Sequence, residues 1–121
     1  MRIATFNLEN LDDPADDPAL LGRRIAVLRP QLQRLDADVL CLQEVNAQPS
    51  GHHGPRRLAA LDRLLEDTPY AGFYRAASAR EPGGGPADVH NLVTLSRYPI
   101  VAHRQIRHDL VSAPSYRMAT A

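Results

Sequence analysis

Asn7 and Glu44 each stand at the end of an apolar segment, Arg2–Leu8 and Val39–Val45 respectively. A carboxylate at such a place suits Mg²⁺, a hard ion that prefers oxygen ligands and is usually held by one or two carboxylates, water and substrate phosphate. An asparagine beside it adds a carbonyl oxygen or donates a hydrogen bond to a phosphate oxygen. The competing reading is plain, because acids and amides are common wherever strands run out into solvent. Position alone favours that plainer reading, and the elements that carry the two residues show only that they can share an edge.

Ile3, Thr5 and Asn7 alternate with Ala4, Phe6 and Leu8, which predicts a first strand over Arg2–Leu8, covered on both faces. Asp17-Pro18 reads as a helix start, with an acceptor at the cap and proline at the first helical position. Leu21, Ile25, Leu28, Leu32 and Leu35 follow at helical spacing, and Pro30 predicts a kink or a split. Asp36-Ala37-Asp38 is a short turn, and Val39–Val45 is a second strand. Strand, helix, turn and strand make a βαβ unit whose strands are expected to be parallel. Asn7 and Glu44 then share the carboxyl edge of one sheet, where open α/β sheets build their sites.

Downstream, Ala47–Pro55 reads as a loop and Arg57–Glu66 as a second helix with a Leu58, Leu61, Leu64, Leu65 stripe. Phe73–Ala77 reads as a short strand, Arg80–Asp88 as a loop centred on Gly83-Gly84-Gly85-Pro86, and His90–Ser96 as a further strand. Arg97-Tyr98-Pro99 turns the chain, and Ile100–Ile106 is expected to pair back antiparallel. After His108 the pattern dissolves.

Composition narrows the classes. The chain has 121 residues, 44% hydrophobic and 23% charged, which is ordinary for a globular domain and excludes a wholly disordered one. No apolar run reaches the length of a membrane span. A single cysteine, Cys41, excludes an internal disulfide framework and a multi-cysteine zinc site. Fourteen basic and fourteen acidic residues cancel, so net charge gives no vote for nucleic acid. All the basic residues are arginine, a chain-wide bias that says nothing about one site. The absence of a signal-peptide core and of a cysteine pair points to the cytoplasm.

Three stretches resemble the endonuclease/exonuclease/phosphatase superfamily, the relatives of pancreatic deoxyribonuclease and the abasic-site endonucleases. They are Ile3-Ala4-Thr5-Phe6-Asn7-Leu8-Glu9-Asn10, then Asp36-Ala37-Asp38-Val39-Leu40-Cys41-Leu42-Gln43-Glu44-Val45, and Asn91-Leu92-Val93-Thr94-Leu95-Ser96-Arg97-Tyr98-Pro99-Ile100. The third departs from the common form, in which glycine often precedes the strand; here the residues are Val89-His90-Asn91. The resemblance implies an α/β fold, a four-layer α/β/β/α sandwich like that of pancreatic deoxyribonuclease, of which residues 1–121 form one incomplete, N-terminal domain portion. It implies hydrolysis of phosphate esters with Mg²⁺ or Mn²⁺. It makes Glu44 a direct metal ligand, and Asn7 a catalytic residue that helps bind metal or orients the phosphate. Glu9, two residues beyond Asn7 and therefore on the same side of a regular strand, is a candidate secondary ligand.

Later family segments, G-D-x-N and S-D-H, supply the groups that activate water, and neither occurs in this sequence. Metal, nucleophile activation and charge stabilisation act as a unit, so the 121 residues alone are expected to bind Mg²⁺ weakly and to hydrolyse little. The partners expected are a phosphate-ester substrate (nucleic acid, phosphoinositide and phospholipid fit equally) and the C-terminal half. The alternative is a stand-alone non-catalytic module or a partner-dependent binding module. Among other residues, Asp12, Asp13, Asp16 and Asp17 read as a solvated loop ending in the helix cap, and His52-His53 and Gly83–Gly85 as loops. Cys41 reads as an inert core thiol. Arg97 reads as a surface arginine, with a phosphate contact as its alternative.

Overall fold

The computed structural model describes residues 1–107, 110–112, 115 and 117; His108 and Met118–Ala121 lie outside them. The chain forms β1 (Ile3–Leu11), α1 (Leu20–Leu35), β2 (Val39–Val45), α2 (Ala59–Leu65), a 3-10 turn at Pro69–Gly72, β3 (Tyr74–Ala77) and β4 (Asn91–Ser96). One sheet runs in the order β1-β2-β4-β3. β1 and β2 are parallel, with Ile3 opposite Val39 and Asn7 opposite Gln43. β4 runs antiparallel to β2 and to β3. The βαβ unit expected from the sequence is therefore present.

Alternation sends Leu8, Leu40, Leu42, Val93 and Leu95 to one sheet face, where they are buried with Leu21, Leu28 and Leu32 of α1 and Ala60, Leu61, Leu64 and Leu65 of α2. Each fully buried leucine contributes about 2 kcal/mol of transfer free energy. The opposite face is only half-covered among the described residues: Ile3, Leu92 and Tyr74 remain 62%, 58% and 52% exposed. β1 is thus packed on one side, not both. Cys41 falls on this outer face, half-buried, rather than in the core.

Several local expectations are corrected. α1 begins at Leu20 with Ala19 at the cap position and no side-chain cap; the Asp17 carboxylate instead pairs with Arg23 at 2.9 Å. Pro30 does not split the helix. Its missing N–H would have met the carbonyl of Ala26, and both residues are exposed, so solvent can reach the orphaned carbonyl. Ile100–Ile106 forms no strand, because both edges of β4 are already occupied by β2 and β3.

Two devices close the end of α1, and Asp38 just beyond it ties the strands. Asp36 adopts a left-handed conformation (φ 43°) and donates its N–H to Gln33. The buried Tyr70 hydroxyl donates to the Leu32 carbonyl at 2.8 Å and accepts the Ala37 N–H at 3.0 Å, satisfying groups a helix end leaves open. Asp38 accepts the Arg2 N–H at 2.7 Å and the Arg97 Nε at 2.9 Å, tying the near ends of β1 and β4 to β2. The Arg2 N–H has the largest influence and, with Arg97, outweighs burial and holds the Asp38 carboxyl below its ordinary value. Among the described residues no helix is long and apolar enough to cross a membrane.

Candidate active site

Strict alternation would place Glu44 on the core face beside Leu42, with Asn7 on the other face. A double irregularity changes this. Between the pairs Asn7–Gln43 and Leu11–Val45 the β1–β2 register slips, and Glu9, Asn10 and Glu44 all have positive φ (48°, 53° and 57°). A bulge re-aims side chains, and here it turns Glu44 toward Asn7. The Asn7 Nδ2 donates to Glu44 Oε1 at 3.0 Å, and the Asn10 backbone N–H donates to Oε2 at 3.2 Å. The two residues singled out in the sequence are therefore in contact at the carboxyl edge of the parallel pair.

The amide of Asn7 is fixed at both ends, since its Oδ1 accepts the Glu9 N–H at 2.8 Å. Left-handed backbone costs a non-glycine residue on the order of 1–2 kcal/mol, so the bulge needs support. Arg24 of α1 supplies it: one guanidinium nitrogen donates to the carbonyls of Glu9 (2.9 Å) and Asn10 (3.2 Å), the other to that of Leu8. Glu9 enters this arrangement through its backbone, and the regular alternation that would align its carboxylate with Asn7 ends at the bulge.

A second layer lies behind. Asp12, half-buried, accepts Asn46 Nδ2 and Gln48 Nε2, both at 3.0 Å. Burial pushes its carboxyl up, but these two bonds, the Asp13 N–H and the charge of Arg56 outweigh burial and hold it below the ordinary 3.8. Asp12 is thus a structural hub rather than a solvated loop acid. Gln48 passes the support on by accepting the Ala60 N–H in the first turn of α2 at 2.8 Å. Asn46 accepts the His90 N–H at 3.0 Å, and His90 Nε2 meets Asn10 Oδ1 at 2.6 Å.

Sequence reasoning missed Asn10, Arg24, Asn46 and His90. One signal was present: the stretch Val89-His90-Asn91 lacks the glycine expected before this strand, and His90 within it has φ 58°. Arg97 lies at the far end of the sheet, since Ser96 pairs with Val39 at the start of β2. It binds Asp38 and stacks over Phe73, 5.3 Å from the ring centre, so it is a structural arginine remote from Glu44. His52-His53 and Gly83–Gly85 lie in exposed loops.

The hard oxygen donor is one half-buried carboxylate, Glu44; the Asn7 amide turns its N–H to it and its oxygen to the Glu9 N–H. Such a donor fits a Mg²⁺ ion that keeps most of its water. Among the described residues no group of three or more His, Cys, Asp or Glu side chains converges into a closed cage. No curated protein and no solved structure matches the chain significantly. The profile of the endonuclease/exonuclease/phosphatase family, whose members are nuclease- and phosphoesterase-like hydrolases generally dependent on divalent metals, matches residues 4–120. That match spans nearly the whole chain and includes the bulged part of β1 and the end of β2 that bring Asn7 and Glu44 together: the chain belongs to the endonuclease/exonuclease/phosphatase family.

Proposed function

We propose that this chain carries the metal- and phosphate-binding part of a Mg²⁺-dependent phosphoesterase, with Glu44 as metal ligand and Asn7 as its orienting partner. The observation that supports this most is the 3.0 Å bond from Asn7 Nδ2 to Glu44 Oε1 across two strands. Asn7 and the Asn10 N–H each occupy one lone pair of the carboxylate, which fixes its plane and leaves the remaining lone pairs for a cation. Bound Mg²⁺ would neutralise charge on a phosphate oxygen and acidify a water molecule. Asn7 keeps a free lone pair on Oδ1 as a neutral second donor. Arg24, by pinning the bulge carbonyls, keeps the Asn10 N–H aimed at Glu44.

In this proposal the half-covered sheet face packs on a second sheet in a four-layer sandwich. The water-activating groups come from outside these 121 residues, since G-D-x-N and S-D-H segments are absent from them. The substrate is a phosphate ester of nucleic acid, phosphoinositide or phospholipid. A non-catalytic, partner-dependent module is the second reading, favoured by the same exposed face.

A Mg²⁺ titration followed by thermal melting tests the proposal. At free metal about five times the dissociation constant, Tm should rise by about 4 °C. The rise should vanish in Glu44→Ala and shrink in Asn7→Ala. A rise that persists in Glu44→Ala refutes the assignment, and robust EDTA-sensitive phosphodiester cleavage by the 121 residues refutes the division of labour.

A further inference from the structure

We propose that His90 is a positioning residue for the Glu44 site, holding the Glu9–Asn10 bulge in the shape that presents the Asn10 N–H to the carboxylate. The inference rests on the Glu44 reading and extends it to a third strand. His90 stands one residue before β4, adjacent to Asn91, and lies 80 positions from Asn10 in the chain. Its Nε2 reaches Asn10 Oδ1 at 2.6 Å. An amide oxygen only accepts, so Nε2 is the donor in this bond.

Asn10 is thereby held at three points. Its N–H donates to Glu44 Oε2, its carbonyl accepts from Arg24, and its side chain accepts from His90. The first two bonds come from β2 and α1, and the third comes from the start of β4. A non-glycine residue at φ 58° is uncommon, although histidine adopts it more readily than most, and such a conformation persists where its surroundings fix it. Here the backbone N–H of His90 is bound by Asn46 and its ring by Asn10. Glycine would adopt this φ without strain but would leave Asn10 Oδ1 unheld. Strain kept at a position where glycine would relieve it, and resolved by a bond into the site, is what a positioning role requires. Outer partners that orient a metal ligand commonly change metal affinity by 10–100-fold when removed.

The experiment compares wild type with His90→Gly and His90→Gln. It uses Mn²⁺ binding followed by electron paramagnetic resonance, thermal melting, and hydrogen exchange of the Asn10 amide without metal. His90→Gly should melt at or above the wild-type Tm, yet bind Mn²⁺ about tenfold more weakly and exchange the Asn10 amide about tenfold faster. His90→Gln, whose amide N–H also donates, should restore most of the affinity. A purely structural histidine would lower Tm without this opposite movement of affinity. Wild-type affinity and wild-type Asn10 exchange in His90→Gly overturn the proposal. A wild type that binds no Mn²⁺ overturns the Glu44 reading instead, while faster Asn10 exchange in His90→Gly would still uphold the latch.

Discussion

Glu44 and Asn7 were legible as residue types at strand ends, but their contact was not. A regular alternation separates them, and only the left-handed turn at Glu44, facing the Glu9–Asn10 bulge, brings them within 3.0 Å. No local pattern announces that turn, because glutamate has no preference for positive φ. Asp12 was read as solvated for a similar reason: its partners, Asn46 and Gln48, lie 34 and 36 residues away. Its depressed carboxyl makes a directional prediction. Stability from this group is fully present above the ordinary value of 3.8 and is lost as pH falls through the lower folded value. Asp12→Asn should therefore melt at a Tm that depends less on pH below about 4 than wild type does. Asp12→Ala, which strands two buried amides, should cost about 2 kcal/mol at neutral pH by urea unfolding.

At the scale of elements, β2 was readable to its exact bounds because its apolar run is continuous and flanked by an aspartate turn. α1 was readable in its stripe but not in its start, since the Asp17 side chain prefers Arg23 to the helix end. Pro30 was read as a break because proline forfeits a hydrogen bond; on an exposed face that loss is tolerable and the buried leucine stripe keeps the helix whole. Replacing it should then help: Pro30→Ala is expected to stabilise the chain by about 2 kcal/mol in denaturant unfolding, the proline penalty less its benefit in the unfolded chain. Arg24 joins α1 to the bulge. Arg24→Ala should cost about 2 kcal/mol, since charged hydrogen bonds are lost. It should also weaken metal binding, whereas a comparable loss in the core, such as Leu61→Ala, should destabilise without changing metal affinity in the folded state.

For the whole molecule, the described residues form one well-formed core and leave the opposite sheet face half-covered. The alternation in β1 made both faces look suited to burial, and helices cover only one of them. Ile3 and Leu92 on the other face should be replaceable by threonine at a cost within about 0.5 kcal/mol each, as is usual for exposed sites. The double variant should self-associate less than wild type in sedimentation velocity. The central proposal, that Glu44 with Asn7 holds a divalent metal where β1 and β2 part, draws its support from family membership and from the contact of the two side chains. The most direct test is Mn²⁺ titrated into ¹⁵N-labelled protein at sub-stoichiometric ratio, reading which amide resonances broaden first. The account predicts that Asn7–Asn10, Glu44 and Val45 broaden before all others, and that Glu44→Gln removes the effect. Broadening centred on Asp16 and Asp17, or unchanged in Glu44→Gln, would contradict it.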